Sequence, residues 1–283
     1  MKVFNLHSYA KINLSLRIIK KLNNNFHKIE SLVSFLQLSD TISIKEIKSK
    51  KDKIYIRGKF KKGIKINSNT LTKTLNIFRK NYLLKDRRFE IILKKNVPNY
   101  AGLGGGSMNS ATLINFFIKK FKIRISKKKL LDICNFISSD VILGLEKKNS
   151  ILHGIEKYPK RIKKRLNFFT ILVFPNIKCS TRVIFSKNRK FSKSYKKFNQ
   201  SLFSITNLLR DSNDLESVVF KTYPKIKKLN DFLKKQKNCI FSRMTGSGSI
   251  CIGYFRGLRP AQKGLISIKK KYPKYWSVLS KTI

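Results

Sequence analysis

The sequence predicts an α+β protein built as two lobes. Strand-like and helix-like segments alternate irregularly in both halves, which argues against a regular doubly wound sheet. At 283 residues and 41% hydrophobic composition the chain has enough apolar material for one large core or two modest ones. The lysine-rich stretch Lys157 to Arg165 lacks apolar periodicity and precedes a strong strand, so it marks the boundary between lobes at 1–160 and 161–283.

Tyr9 to Ile18 alternates as a strand does, with Ile12, Leu14 and Leu16 on one face and Lys11, Asn13 and Ser15 on the other. After the polar turn Lys21 to Asn25, the run from Phe26 and His27 ends in T-I-S-I-K-E-I, a second strand. Ile54 to Arg57 is a third. Leu71, Leu75, Phe78 and Tyr82 mark one face of a helix, and Phe89 to Leu93 is a short strand. Ala111, Ile114, Phe117, Ile118 and Phe121 recur at helical spacing. Ser126 caps the next helix, which runs to Ile137 with Leu130, Leu131, Cys134 and Ile137 as its stripe. Beyond the boundary the pattern predicts strands at Phe168 to Phe174, Ser249 to Phe255 and Trp276 to Leu279. It predicts helices near Leu202 to Leu209, Tyr223 to Leu233 and Pro260 to Lys271. No internal repeat of solenoid length is present.

The formal charge of +50 suggests a polyanion partner. Yet the lysines recur along nearly the whole chain instead of forming one arm, and they rise together with asparagine, isoleucine and phenylalanine, as in products of AT-rich genomes. A specific nucleic-acid partner is therefore not expected, and there is no RNA-stacking motif. The most apolar tract, Phe168 to Phe174, is too short to span a bilayer, and the N-terminus lacks a signal-peptide pattern, so a cytoplasmic protein with no membrane partner is expected. Cys134, Cys179, Cys239 and Cys251 are far apart in apolar surroundings, which predicts buried free thiols and no zinc site.

The segment P-N-Y-A-G-L-G-G-G-S-M-N-S-A, Pro98 to Ala111, sits between a strand and a helix. Gly104, Gly105 and Gly106 have no Cβ, so the loop can use positive φ and bring N–H groups close to an anion. The helix behind it adds its own unpaired N–H groups and positive dipole end. A phosphate is the expected occupant, the alternative being a loop without a ligand. The P-loop pattern fails because no lysine follows the last glycine, and a dinucleotide fold would place its glycines near the start of the chain.

Acidic residues number only 14, and Asp140 stands out among them. It follows a helix and two serines and precedes an apolar segment, so it is either a base for a hydroxyl proton or a capping or turn residue. Lys11, on the polar face beside Asn13, is either a stabiliser of phosphate charge or one more surface lysine. His27 either bonds a ligand base or packs against Phe26. Thr245, Gly246, Ser247 and Gly248 offer amides and hydroxyls either to an anion or to a hairpin turn.

Together A-K-I-N-L (Ala10 to Leu14), the glycine segment, S-D-V (Ser139 to Val141) and T-G-S-G-S (Thr245 to Ser249) resemble the ordered motifs of the GHMP small-molecule kinases. The likeness is collinear from Ala10 to about Phe255, and the G-L-G-G-G-S form and Phe26-His27 resemble the members that act on a cytidine-diphosphate alcohol. The resemblance implies an N-terminal lobe like ribosomal protein S5, a ferredoxin-like C-terminal lobe, and ATP and Mg²⁺ as cofactors. It implies γ-phosphoryl transfer to the 2-hydroxyl of a small-molecule cytidine-diphosphate substrate. Asp140 falls on the family's catalytic aspartate and Lys11 on its partner lysine. Asn99, Tyr100, Ala101, Gly102, Leu103, Gly104, Gly105, Gly106, Ser107, Met108 and Asn109 fall on the ATP-binding segment. Asn13, Phe26 and His27 fall where the family reads the cytidine end, with Phe185 stacking on the base. No metal ligand is assigned. The sequence departs from the family at Tyr100, usually glycine or alanine, at Met108, usually serine, at Ile142-Leu143, usually Pro-Phe, and at Phe26, usually tyrosine.

Overall fold

The computed structural model describes residues 2–22, 26–154 and 158–283. The turn expected up to Asn25 and the start of the boundary stretch at Lys157 fall partly outside them. Two strands dominate the start of the chain: β1 (Phe4–Lys21, 18 residues) and β2 (His27–Ile47, 21 residues). There follow β3 (Lys53–Arg57), α1 (Thr70–Lys80), β4 (Arg88–Lys94), α2 (Gly105–Lys120), α3 (Lys127–Ile137), the single turn α4 (Val141–Gly144), β5 (Asn149–His153) and β6 (Lys160–Ile162). The remainder is β7 (Phe169–Phe174), α5 (Thr181–Ser186), α6 (Ile205–Arg210), α7 (Leu215–Thr222), α8 (Pro224–Lys234), β8 (Cys239–Met244), β9 (Cys251–Phe255), α9 (Leu258–Lys271) and β10 (Trp276–Lys281).

The chain forms two compact units that interleave in sequence. The first holds residues 1–11, 38–99 and 104–147, and the second holds 12–37, 100–103 and 148–283. Both β1 and β2 pass from one unit into the other, which is why neither unit is one continuous segment. In the first unit Thr41–Ile47 of β2 pairs antiparallel with β4, and β3 pairs parallel with β4. Helices α1, α2 and α3 bury Leu71, Leu75, Phe78, Ala111, Ile114, Phe117, Leu131 and Cys134 against Ile42, Ile44, Phe89, Ile91 and Leu93 of that sheet. Full burial of each large side chain contributes about 1.5–3 kcal/mol, so this stripe-on-sheet contact is what fixes α2.

In the second unit Glu30–Val33 of β2 pairs with β5, which pairs with β6. A separate antiparallel sheet has the order β10-β7-β9-β8. Ile226, Leu229 and Leu233 of α8 and Ala261 and Ile268 of α9 share a core with Ile171, Val173, Cys251 and Phe255 of that sheet.

Several elements differ from the sequence expectation. Helix α1 stops at Lys80, and Tyr82, expected on its apolar face, takes φ +56° and is 89% exposed. The expected helix at 202–209 is split at Ser204, whose extended backbone and side-chain bond from the Asn207 N–H start a new helix. Helix α2 begins inside the glycine run, at Gly105. Part of the boundary stretch is the strand β6, and β5, β8, α5 and α7 are further elements that the sequence pattern did not predict. All four cysteines are free; Cys134, Cys179 and Cys251 are buried and Cys239 is half-buried. Burial pushes the Cys134 thiol up to about 12, so it is inert at neutral pH.

Candidate active site

Within the first unit the glycine loop, Lys11 and Asp140 come together. Gly104 occupies the N-cap of α2 with φ +64°. A Cβ there would lie 2.8 Å from Lys11 Cγ and 2.9 Å from its Cε, so both backbone angle and close approach demand glycine. The lysine stem runs across the start of α2, and Lys11 as a whole is only 6% exposed. Its Nζ lies 3.3 Å from Asp140 Oδ2, whose side chain is 34% exposed.

Asp140 lies in a turn, at the N-cap position of α4, and makes no side-chain capping bond. Its backbone is nevertheless held: Val141 N–H donates to Ser138 O at 3.0 Å and Leu143 N–H to Asp140 O at 3.2 Å. The buried neighbours Ile142 and Leu143 pack inward and leave the carboxylate at the surface of the unit.

Ser107, in the first turn of α2, donates to Ser138 Oγ at 3.0 Å. Thr70 at the start of α1 donates to Gly106 O at 2.8 Å, and Ser110 donates to Thr70 O at 3.1 Å, so α1 braces the beginning of α2. Met108 and Asn109 are turned inward, 2% exposed each, whereas Gly104 to Ser107 are half-buried. The missing serine hydroxyl at Met108 is thus replaced by a thioether in the core: a Cβ at Gly144 would meet Met108 Sδ at 2.9 Å. A half-buried helix start with unpaired N–H groups, a cation and a carboxylate form a set able to hold a phosphate and to take a proton from an alcohol.

The second unit holds the other residues singled out by sequence. Asn13 N–H donates to Thr245 Oγ1 at 3.0 Å, and its Nδ2 donates to Ser31 Oγ at 2.7 Å, which in turn donates to Ser15 O at 2.6 Å. His27 and Phe185 are in contact, with ring centroids 5.3 Å apart and planes tilted by 48°. Burial and the charge of Lys21 hold the His27 imidazole below its ordinary range, so it is neutral at pH 7. Phe26 is 69% exposed. Tyr100 takes φ +53°, a left-handed conformation that side chains rarely adopt, and is 68% exposed. Gly102 packs on the β8–β9 turn: a Cβ on it would lie 2.1 Å from Thr245 O. In that turn Thr245 N–H donates to Ile250 O and Gly248 N–H to Thr245 O, both at 3.1 Å. Ser247 Oγ and Thr181 Oγ1 share a hydrogen bond of 2.8 Å, and Asn213 Nδ2 donates to Met244 O and Gly246 O at 2.9 and 2.8 Å.

Sequence reading missed Asn213 and Thr70, whose roles are tertiary, and missed Asp40 and Lys95, a buried ion pair in the first unit. Asp40 had two visible signals, its acidity in a chain with few acidic residues and its place at the head of D-T-I, the end of the segment that Phe26-His27 opens.

Comparison with known proteins adds an independent line. The model of the GHMP kinases N terminal domain matches residues 69–147, and that of the GHMP kinases C terminal matches residues 192–274. A protein of Pelagibacter ubique (strain HTCC1062) named 4-diphosphocytidyl-2-C-methyl-D-erythritol kinase is 41% identical over 100% of both chains. One of the same name from Wolbachia pipientis wMel is 31% identical over 98% of this chain and 97% of its own. The crystal structure of a 4-(cytidine 5'-diphospho)-2C-methyl-D-erythritol kinase superposes with a TM-score of 0.81 at 18% identity, covering 98% of this chain and 99% of that one. The homoserine kinase of Cytophaga hutchinsonii superposes at 0.67 with 14% identity, covering 100% of this chain and 95% of its own. The S5-like and ferredoxin-like lobes expected from the motifs accord with this fold. With a full-length relative at 41% identity and both domain models matched in order, the chain belongs to the GHMP kinases and is an ATP-dependent small-molecule kinase.

Proposed function

We propose that this chain transfers the γ-phosphoryl group of ATP to the 2-hydroxyl of 4-diphosphocytidyl-2-C-methyl-D-erythritol, giving the 2-phosphate and ADP in non-mevalonate isoprenoid precursor synthesis. The observation that carries the reading is the Lys11–Asp140 pair, 3.3 Å apart, with the lysine stem lying on the glycine at the N-cap of α2. Support for the substrate comes from the full-length identity of 41% to a protein of that name.

In this proposal the amides from Gly104 to Ser107 cradle ATP phosphates, within the segment Asn99 to Asn109. Asp140 accepts the proton of the attacking hydroxyl, and Lys11 holds negative charge on that oxygen and on the phosphoryl oxygens. The transition state of phosphoryl transfer needs little covalent help, so fixed placement of charge is the main contribution. Mg²⁺, when bound with ATP, offsets charge on its phosphates. Ser107 Oγ, half-buried at the start of α2, and the partly exposed Asp140 carboxylate are oxygen donors of the kind that would take such an ion. Asn13, Phe26, His27 and Phe185 serve the cytidine end, with neutral His27 bonding the base and Phe185 stacking on it. Thr245 to Gly248 are offered either to an anion of that substrate or to the turn itself.

As sequence domains we assign 1–160 and 161–283, with one domain model falling in each, although the compact units interleave across that boundary. No described helix is long and apolar enough to cross a membrane, and a cytoplasmic enzyme is proposed.

The test is a substrate panel with Mg-ATP: the cytidine compound against mevalonate, homoserine and galactose. The cytidine compound is expected to lead the others in kcat/KM by at least about a hundredfold. Preference for mevalonate or homoserine would leave the family intact and remove this substrate.

A further inference from the structure

Beneath the glycine loop lies a buried ion pair that the phosphoryl-transfer scheme does not use. Asp40, in the second half of β2, is 0% exposed, and Lys95, the residue after β4, is 1% exposed. Asp40 Oδ1 accepts from Asn96 N–H at 2.8 Å and Val97 N–H at 2.9 Å. Its Oδ2 accepts from the Lys95 ammonium and from Asn109 Nδ2, the latter at 3.1 Å. Asn96 and Val97 lead into the glycine loop, and Asn109 lies one turn into the helix that leaves it. One carboxylate therefore ties both stems of the loop. The lysine touches the loop itself: a Cβ on Gly105 would lie 3.1 Å from Lys95 Nζ. Its backbone is fixed as well, donating to Arg57 O at 2.8 Å, and Gly58, at φ +95°, leaves no room for a side chain against Lys95 O.

We propose that Asp40 and Lys95 are positioning residues for phosphoryl transfer, holding the stems of the glycine loop at the separation that lets its amides meet the phosphates of ATP. The proposal rests on the reading of that loop as the phosphate cradle. Stability alone does not account for the pair, because apolar residues of similar volume generally stabilise a core as well as a buried ion pair does. What apolar residues lack is direction. A carboxylate with four donors fixes the orientation of two backbone amides and of a helix side chain at once. Pre-organised amides lose affinity for phosphate steeply when they move by a fraction of an ångström, since their value lies in not having to reorganise. The adenosine part of the nucleotide has no such dependence.

The experiment compares ATP with adenosine in equilibrium titrations of Asp40→Asn, a replacement of nearly the same shape. ATP is expected to bind at least about tenfold more weakly while adenosine binds within about twofold of wild type. The KM for the cytidine substrate is expected to stay within about twofold, and kcat to fall. A purely structural role would lower the melting temperature and the folded fraction but leave the dissociation constant of folded molecules unchanged. Should the single variant not fold, Asp40→Asn/Lys95→Met removes both buried charges and is expected to fold with the same selective loss for ATP. Wild-type affinity for ATP in either variant, an equal loss for adenosine, or failure of both variants to fold overturns the proposal. Turnover is not needed for the comparison, so wild-type protein that binds ATP but leaves the cytidine compound unphosphorylated refutes the proposed function alone. Wild-type protein that binds no ATP refutes both.

Discussion

Two glycine-rich turns in this molecule are built to opposite ends. In the first, Gly104 to Ser107, the residues are half-buried and lie at a helix start, whose first N–H groups have no partner within the helix. In the second, Thr245 to Ser249, every residue is buried, and all three hydroxyls are engaged within the unit, with Asn13 and Gly102, with Thr181, and with Ile177 O. The first turn keeps its donors for something else, while the second spends them on its own surroundings. Composition does not distinguish them. What separates them is the element that follows: a helix leaves its first amides unpaired, whereas the paired strands β8 and β9 consume theirs in a ladder. The second turn is also tied to α5, because Thr181, its hydrogen-bond partner, begins the six-residue helix that carries Phe185.

The contrast predicts activity loss without stability loss around the first turn. Asp140→Asn keeps the size of the side chain and the backbone bonds around it but removes the proposed base. The expected fall in kcat is about a hundred- to ten-thousandfold, with an unchanged melting temperature. Full kcat in that variant would take Asp140 out of the chemistry. A matching drop in melting temperature would mean that the first turn is as structural as the second.

A smaller effect is expected at Phe185, the residue of the second unit proposed to stack on the base of the substrate. Phe185→Ala removes the proposed stacking face and the contact to His27. The KM for the cytidine substrate should rise about tenfold or more, with kcat and the KM for ATP within about twofold. An equal rise in both KM values would show that α5 supports the fold in general and not the base.

Much of this division was legible in the sequence, and the illegible part has a physical reason. Strand alternation at Ile12, Leu14 and Leu16, the Ser126 cap and the stripe of α2 are local properties, and local properties are written in neighbouring residues. The glycine loop was legible for the same cause: Gly104 needs its positive φ whatever surrounds it. Asp40 and Lys95 are different. Lys95 is one of 64 lysines and arginines, and only the packing of β2, β4 and α2 around it makes it a buried anchor. The interleaving of the two units was likewise invisible, because β2 runs for 21 residues without a break in its pattern while changing partners from β5 to β4.

The second turn offers the opposite signature, stability that moves with pH while activity stands. Glu216, in α7, accepts from Met244 N–H at 2.7 Å, at the residue that opens the turn. Burial is the main cause that pushes its carboxyl up from 4.5 to about 7, and the Met244 bond and Arg243 charge only partly offset it. A carboxyl whose folded value lies above its unfolded one favours folding while protonated. That contribution is whole below pH 4.5 and fades as pH rises through 7, because the unfolded chain then binds fewer protons than the folded one. Glu216→Gln keeps an oxygen to accept the Met244 bond and never acquires the buried charge. In urea unfolding the variant should match wild type near pH 4.5 and exceed it by about 3 kcal/mol at pH 8, taking about 1.4 kcal/mol per pKa unit. Its kcat should stay within about twofold of wild type, because the groups it touches belong to the turn's own hydrogen bonds. A stability difference that does not change with pH would place the carboxylate in water, and the account of the second turn as a closed internal network would fail with it.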